Sequence, residues 1–340
     1  VNSPHGANHS TRKEEHIDLC ANQDVEHSKR DNGFSSFVLP HVALPGLNWS
    51  DLDTSRLFLG KQFSSPFLIT GMTGGLERAA QINENLARVA ETYNIPMGVG
   101  SQRIALEEPK HADIFELKRK FPKLFLIGNI GIGQLDGKDD LDLCNRAIDM
   151  IRADALAIHI NVLQELIQPE GDRNFRNTLD YIGNLVNKIR VPLIVKEVGA
   201  GMDTTTVQNL YSRGVRAIDV GGKGGTSWAY IEGLRAKSDH GQRLGKTFRD
   251  FGISTADALI SAHDLKLPGL ELIATGGMRD GLTALKAIKI GGARMVGFGL
   301  PLFKAALLSS EKVSQEIEIL RSELKVAMMC TSTKDLRILI

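Results

Sequence analysis

Residues 270–279 run Leu270-Glu271-Leu272-Ile273-Ala274-Thr275-Gly276-Gly277-Met278-Arg279, a short apolar run followed by two glycines and a basic residue. An apolar run of this length, ended by glycine, reads as a buried strand. The same unit recurs in both directions along the chain. Runs at 67–70, 96–100, 124–130, 155–161, 192–198, 216–220 and 295–299 bring the number to eight. Between them lie stretches with apolar residues at helical spacing, such as Ile82, Leu86, Val89, Ala90 and Tyr93. Another helix starts at Asp203, a good N-cap, carries Val207, Leu210 and Tyr211, and stops before Gly214. Ser254, with Asp257 three residues on, resembles a capping box ahead of Leu259 and Ile260. Eight strands alternating with helices predict an α/β fold closed as a (β/α)8 TIM barrel. An open doubly wound sheet is the alternative, but it does not require eight evenly placed units.

Three regions fall outside the repeat. Residues 1–60 form an N-terminal extension, 61–310 the barrel, and 311–340 a C-terminal helix and tail. Within 311–329, Val313, Ile317, Leu320, Leu324 and Met328 share one helical face, as expected of a docking helix or an oligomer contact. Residues 223–252 make a long loop after the sixth strand, rich in Gly, Arg, Lys and Asp. Such loops are usually functional or mobile, and this one, with Trp228, Arg235, Arg243, Lys246 and Arg249, is a candidate lid.

Composition narrows the function. The chain has 340 residues, 42% hydrophobic and 24% charged, which is ordinary for a globular protein. A formal net charge of +1 excludes a whole-molecule field that would recruit nucleic acid or an acidic membrane. Three scattered cysteines, Cys20, Cys144 and Cys330, match no metal spacing and suit a reduced cytoplasmic protein. Residues 1–16 are polar, without the apolar core of a signal peptide, and no apolar run is long enough to span a bilayer.

In this fold the chemistry belongs at the C-terminal ends of the strands, and the unusual residues collect there. The sixth strand is followed by Gly221-Gly222-Lys223-Gly224-Gly225-Thr226-Ser227-Trp228, the seventh by Gly276-Gly277-Met278-Arg279, and the eighth ends Gly297-Phe298-Gly299. One such loop alone could merely turn sharply. Three adjacent ones point to a phosphate approached closely by backbone N–H groups and helix N-termini. On the fourth strand, alternation puts Ala155, Ala157, His159 and Asn161 on one face, directed into the barrel, with Gln164 and Glu165 in the loop above. Glu165 offers one hard carboxylate, suited to Mg²⁺ shared with a diphosphate. Lys196 could be an internal ion-pair partner, a Schiff-base nucleophile or a cation facing a cofactor edge. Arg12, Lys13 and His16 lie in a polar tail where solvated charges are the ordinary reading. Arg103, just after a strand-end serine, is the better anion binder.

Several strings recur together in one family. Arg12-Lys13-Glu14-Glu15-His16, Met72-Thr73-Gly74-Gly75, Ser101-Gln102-Arg103, His159-x-Asn161-x-x-Gln164-Glu165, Lys196-Glu197-Val198-Gly199 and Gly224-Gly225-Thr226-Ser227-Trp228 occur in this order. The set resembles type 2 isopentenyl diphosphate isomerase, an FMN-dependent enzyme, from about Arg12 to about Leu302. The resemblance implies that Thr70, Met72, Thr73, Ser101 and Asn129 hold FMN, with Lys196 at the N1/C2 carbonyl edge of the ring. It assigns the FMN phosphate to Thr226, Gly276, Gly277, Gly297 and Gly299. Arg12, Lys13, His16, Arg103 and Asn161 would bind the substrate diphosphate, with His159 nearby, Glu165 on Mg²⁺ and Gln164 at the isoprenoid carbons. His159 and Gln164 are the catalytic candidates. Reduced FMN would act as acid/base, NADPH would be the reductant, and the protein would be a homo-oligomer, a tetramer or octamer. Met278 stands where the family has Ile, and Gly299 where a small Ala is usual. No second carboxylate is apparent for proton transfer, since Glu165 is committed to metal.

Three other readings compete. An FMN barrel dehydrogenase or oxidase would need a His/Arg pair for hydroxy acids or a loop cysteine for nucleotides, but Cys144 falls in a predicted helix and the other two cysteines lie outside the repeat. A Schiff-base aldolase would use Lys196. A non-catalytic phosphate-ligand binder would leave His159, Asn161, Gln164 and Glu165 without a shared purpose.

Overall fold

A computed structural model describes residues 6–72, 74 and 77–337. The first described element is helix Gly6–Asn22. A short antiparallel hairpin follows, β1 (Arg56–Phe58) and β2 (Lys61–Phe63). Eight parallel strands then close a barrel: β3 (Phe67–Ile69), β4 (Met97–Gly98), β5 (Leu126–Gly131), β6 (Ala155–Ile160), β7 (Leu193–Glu197), β8 (Ala217–Asp219), β9 (Glu271–Ala274) and β10 (Ala293–Phe298). Closure is made where β10 pairs β3, Val296 opposite Phe67 and Phe298 opposite Ile69. All eight expected strands are present in the expected order, and the expected helix starts hold. Asp203 accepts from Thr206 N at 3.0 Å, and Ser254 Oγ accepts from Asp257 N at 3.1 Å.

Alternation divides the core into two. Leu68, Ile127, Ala155, Ala157, Ile194, Ala217, Ile273 and Met295 point inward and fill the barrel, while the opposite faces pack against the helices. The hairpin was not anticipated, because three-residue strands leave no pattern. It closes the N-terminal end of the barrel, with Phe58 and Phe63 fully buried and the Phe63 ring edge-on to Phe125 at 5.2 Å. Burial of each phenylalanine contributes about 2–3 kcal/mol. Arg56, 0% exposed, fastens the hairpin by donating to the carbonyls of Arg294 and Ala293 in β10 and of Leu336 in the tail.

The C-terminal helix Ser310–Cys330 docks as expected, burying Val313, Ile317, Leu320, Leu324 and Met328. Two regions differ from expectation. Arg12, Lys13 and His16 lie in a helix rather than a solvated tail. The segment 223–252 is not an unstructured loop but carries helices Trp228–Arg235 and Asp239–Thr247, which cross closely where Gly233 meets Gly245. No helix among the described residues is long and apolar enough to cross a membrane.

Candidate active site

Strand register places the reactive side chains. His159 of β6, Lys196 of β7 and Asp219 of β8 are lateral partners, so the three occupy one layer on the inner face. They stand on an apolar floor made by Ala157, Ile194 and Ala217. Above this layer the C-terminal mouth of the barrel opens into a large cavity. It is lined by every expected site residue that can be checked: Arg12, Lys13, His16, Thr70, Met72, Ser101, Arg103, Asn129, His159, Asn161, Gln164, Glu165, Lys196, Thr226, Gly276, Gly277, Gly297 and Gly299. Thr73 lies outside the described residues.

The glycine loops make one wall. Gly276 and Gly277 have φ of +103° and +70°, and a Cβ on either would run into the backbone of Gly222 or Gly224. A Cβ on Gly225 would come within 2.6 Å of Gly277 N. The loops after β8 and β9 therefore pack backbone to backbone, and only glycine permits this, while Gly297 and Gly299 of the third strand end face side chains of Thr70 and Thr275. Behind them runs the segment after the first helix. His27 N donates to Gly225 O at 2.9 Å, Asn32 Nδ2 to Gly277 O at 2.8 Å, and Glu26 pairs with Arg279.

The opposite wall is cationic and comes from the N-terminal helix. Lys13 Nζ donates to Ser101 O at 3.0 Å, and burial, then Arg12, push its ammonium down to about 7. Burial also lowers Arg12, against the pull of Glu232, Glu170 and Glu165. His159 Nδ1 donates to Asn129 Oδ1 at 2.8 Å, and burial, then Lys196 and Arg12, push this imidazole down to about 3, so it is neutral. Arg103 pairs with Glu107 at 2.9 Å and reaches toward Asp172 at 3.7 Å.

The polar cluster after β6 is self-ordered. Asn161 Nδ2 donates to Gln164 Oε1 at 3.2 Å and to Glu165 Oε1 at 2.8 Å, and Glu165 Oε2 accepts from Asp172 N at 2.8 Å. Asn161 Oδ1 is buried without a partner. Among the described residues, no group of three or more His, Cys, Asp or Glu could hold a metal alone.

One central residue was missed. Glu232, in helix Trp228–Arg235 and 0% exposed, accepts from Gln164 Nε2 at 2.9 Å, shares a hydrogen bond with His16 Nε2 at 3.0 Å, and pairs with Arg235. Burial pushes its carboxyl up, but His16, Arg235 and Gln164 outweigh this and hold it at about 2. Glu232 thus stands behind Gln164 and His16, while Glu165, Asp172 and Glu197 all line the cavity, so the expectation of a single carboxylate fails. The only available signal was position, in the helix that follows the Trp228 loop. Cys20 also reaches the cavity, from the N-terminal helix. Burial raises its thiol to about 12, so it is no nucleophile of the nucleotide-dehydrogenase kind.

Comparison with known proteins agrees with this geometry. The family model for FMN-dependent dehydrogenases matches residues 150–339. An isopentenyl-diphosphate delta-isomerase of Nostoc is 45% identical over 96% of this chain and 93% of its own length. One from Pseudescherichia vulneris is 41% identical over 96% and 93%. Among solved structures, a mandelate oxidase variant superposes with a TM-score of 0.65, covering 97% of this chain and 95% of the oxidase, at 18% identity; that likeness shows the fold alone. The chain belongs to the FMN-dependent, type 2 isopentenyl-diphosphate delta-isomerase family.

Proposed function

We propose that the chain interconverts isopentenyl diphosphate and dimethylallyl diphosphate, in isoprenoid biosynthesis, with reduced FMN in the cavity. The observation that carries this reading is the contact between Gln164 and Glu232, a neutral amide held by a buried carboxylate between a phosphate cradle and a cationic wall. The reaction moves a proton between allylic carbons with no net redox change. The residues fit the flavin, since the glycine cradle has the backbone freedom a phosphate requires and Lys196 stands at the inner end of the cavity. Bound reduced FMN supplies an acid/base nitrogen.

The chain's own residues supply the rest. Arg12, Lys13, His16, Arg103 and Asn161 bind the diphosphate and fix the hydrocarbon end toward Gln164. Neutral His159 orients without adding a second fixed positive charge. Glu232 holds the Gln164 amide in one orientation, and His16 holds the same carboxylate oxygen from the other side. Trp228 and helix Trp228–Arg235 exclude water. Glu165 would hold Mg²⁺ jointly with the diphosphate, because both its oxygens already accept hydrogen bonds and one carboxylate does not make a cage. We further propose NADPH as the reductant and a cytoplasmic homo-oligomer, tetramer or octamer, as the working form.

The test is a visible spectrum of the purified protein followed by an anaerobic assay with isopentenyl diphosphate, with and without reductant. A flavin spectrum and conversion only after reduction are expected. A protein that stays colourless and cannot be reconstituted with FMN would overturn the proposal.

A further inference from the structure

Asp219 carries no expected role, yet it is a carboxylate inside the barrel, 2% exposed, with Ala217 beneath it on its own strand. Its lateral partner in β7 is Lys196 and, one strand further, Lys196 partners His159. Nζ of Lys196 donates to Glu197 O at 2.9 Å, and the lysine feels two buried carboxylates, Asp219 and Glu197, the latter already held by the N–H groups of Val198, Gly199, Ala200 and Gly201. His159, the neighbour on the other side, is neutral and brings no countercharge. Oδ1 of Asp219 accepts from Thr275 Oγ1 at 2.6 Å and from Gly221 N at 3.1 Å, so the carboxylate is fixed in place. Burial pushes this carboxyl up, opposed first by Lys196 and then by Thr275 and Gly221.

Lys196, Thr275 and Gly221 line the cavity, whereas Asp219 lies behind them. We infer that Asp219 is a positioning residue that tunes the flavin through Lys196. Its negative charge offsets part of the lysine's positive charge and so limits how far the site favours the anionic reduced ring. A charge buried over an apolar floor acts at a distance that water would otherwise screen. A lysine without this counterweight would bind the anionic form too well and hold it as a poor proton donor. The inference rests on FMN occupying the cavity.

The test is Asp219→Asn, in which the amide oxygen can still accept from Thr275 and Gly221. The FMN-loaded protein is titrated anaerobically against a reference dye, and the spectrum of the reduced flavin is followed with pH. The expected result is full FMN content, with the oxidised–reduced equilibrium shifted at least tenfold toward reduced flavin, about 30 mV for two electrons. The pH at which reduced flavin loses its proton falls correspondingly. If the asparagine variant does not fold, Asp219→Ser removes the same charge with a smaller side chain and should shift the equilibrium the same way, by at least threefold. A folded, loaded variant whose equilibrium stays within twofold of the parent, or moves toward oxidised flavin, overturns the inference. So does a folded asparagine variant that no longer holds FMN, which would assign Asp219 to loop placement alone. A parent protein that never binds FMN fails the proposed function instead, before any variant is compared.

Discussion

Gln164 and Glu232, 68 residues apart, meet at 2.9 Å across the barrel mouth, one from the short helix Val162–Ile167 after β6 and one from the helices after β8. The amide is oriented from both ends, since Asn161 donates to its oxygen and Glu232 accepts from its nitrogen.

Gln164→Ala should therefore keep flavin content and lose turnover by about 10²-fold or more. Glu232→Gln should also lose turnover, because a neutral amide can present either its oxygen or its nitrogen to Gln164 and so no longer enforces one orientation. Bound-FMN absorbance and anaerobic kcat check both. Normal turnover in either variant would overturn the role given to that residue.

Lys13 leads to a pH prediction. Its ammonium sits at about 7 in the free site, so the fraction able to bind a diphosphate shrinks as pH rises past that value. kcat/KM should fall above pH of about 7, by up to about tenfold per unit. Lys13→Arg, which keeps its charge, should flatten that limb if the guanidinium still reaches the site.

The acid limb belongs to Glu232. Its folded carboxyl lies at about 2 against an ordinary 4.5, so its stabilisation is complete above 4.5 and is lost as pH falls through about 2. Glu232→Gln should flatten the loss of unfolding free energy over that window. Arg235→Met, which takes the guanidinium partner from the buried carboxylate but leaves His16 and Gln164, should cost about 2–3 kcal/mol at neutral pH. Urea unfolding measured against pH checks both.

Gly276→Ala tests the cradle. At φ of +103°, with the Gly222 backbone in the way, a methyl group forces the two loops apart. The barrel should persist, destabilised by at least about 1 kcal/mol, while FMN is lost on gel filtration. Retention of stoichiometric flavin would move the phosphate elsewhere.

The barrel was legible because each strand is an apolar run cut off by glycine, as at 270–277, and most of the site because strand ends are where such a fold keeps its chemistry. What escaped was held by tertiary contacts. The N-terminal helix has a weak apolar face, since Arg12, Lys13 and His16 turn toward the cavity and, among its residues with described side chains, Ile17 alone is fully buried. Its position depends on Ser101, Glu232 and Arg235, all distant in the chain. Glu232 sits in a charge-rich segment that resembles a solvated surface, and its importance comes from what folds over it. Asp219 hid between Ile218 and Val220 at the end of a three-residue strand.

The pairing of Phe67 with Val296 joins the first barrel strand to the last. A growing chain therefore carries an open, curling sheet until nearly all of it has been made, and the long loop closed by that pairing makes it a late event. The cradle shares this timing. Thr70 takes its place by donating to Phe298 O, and a Cβ on Gly297 would meet the methyls of Thr70 and Thr275. Earlier intermediates have no shaped pocket to offer, so capture of the flavin should coincide with the final step of folding and draw it to completion.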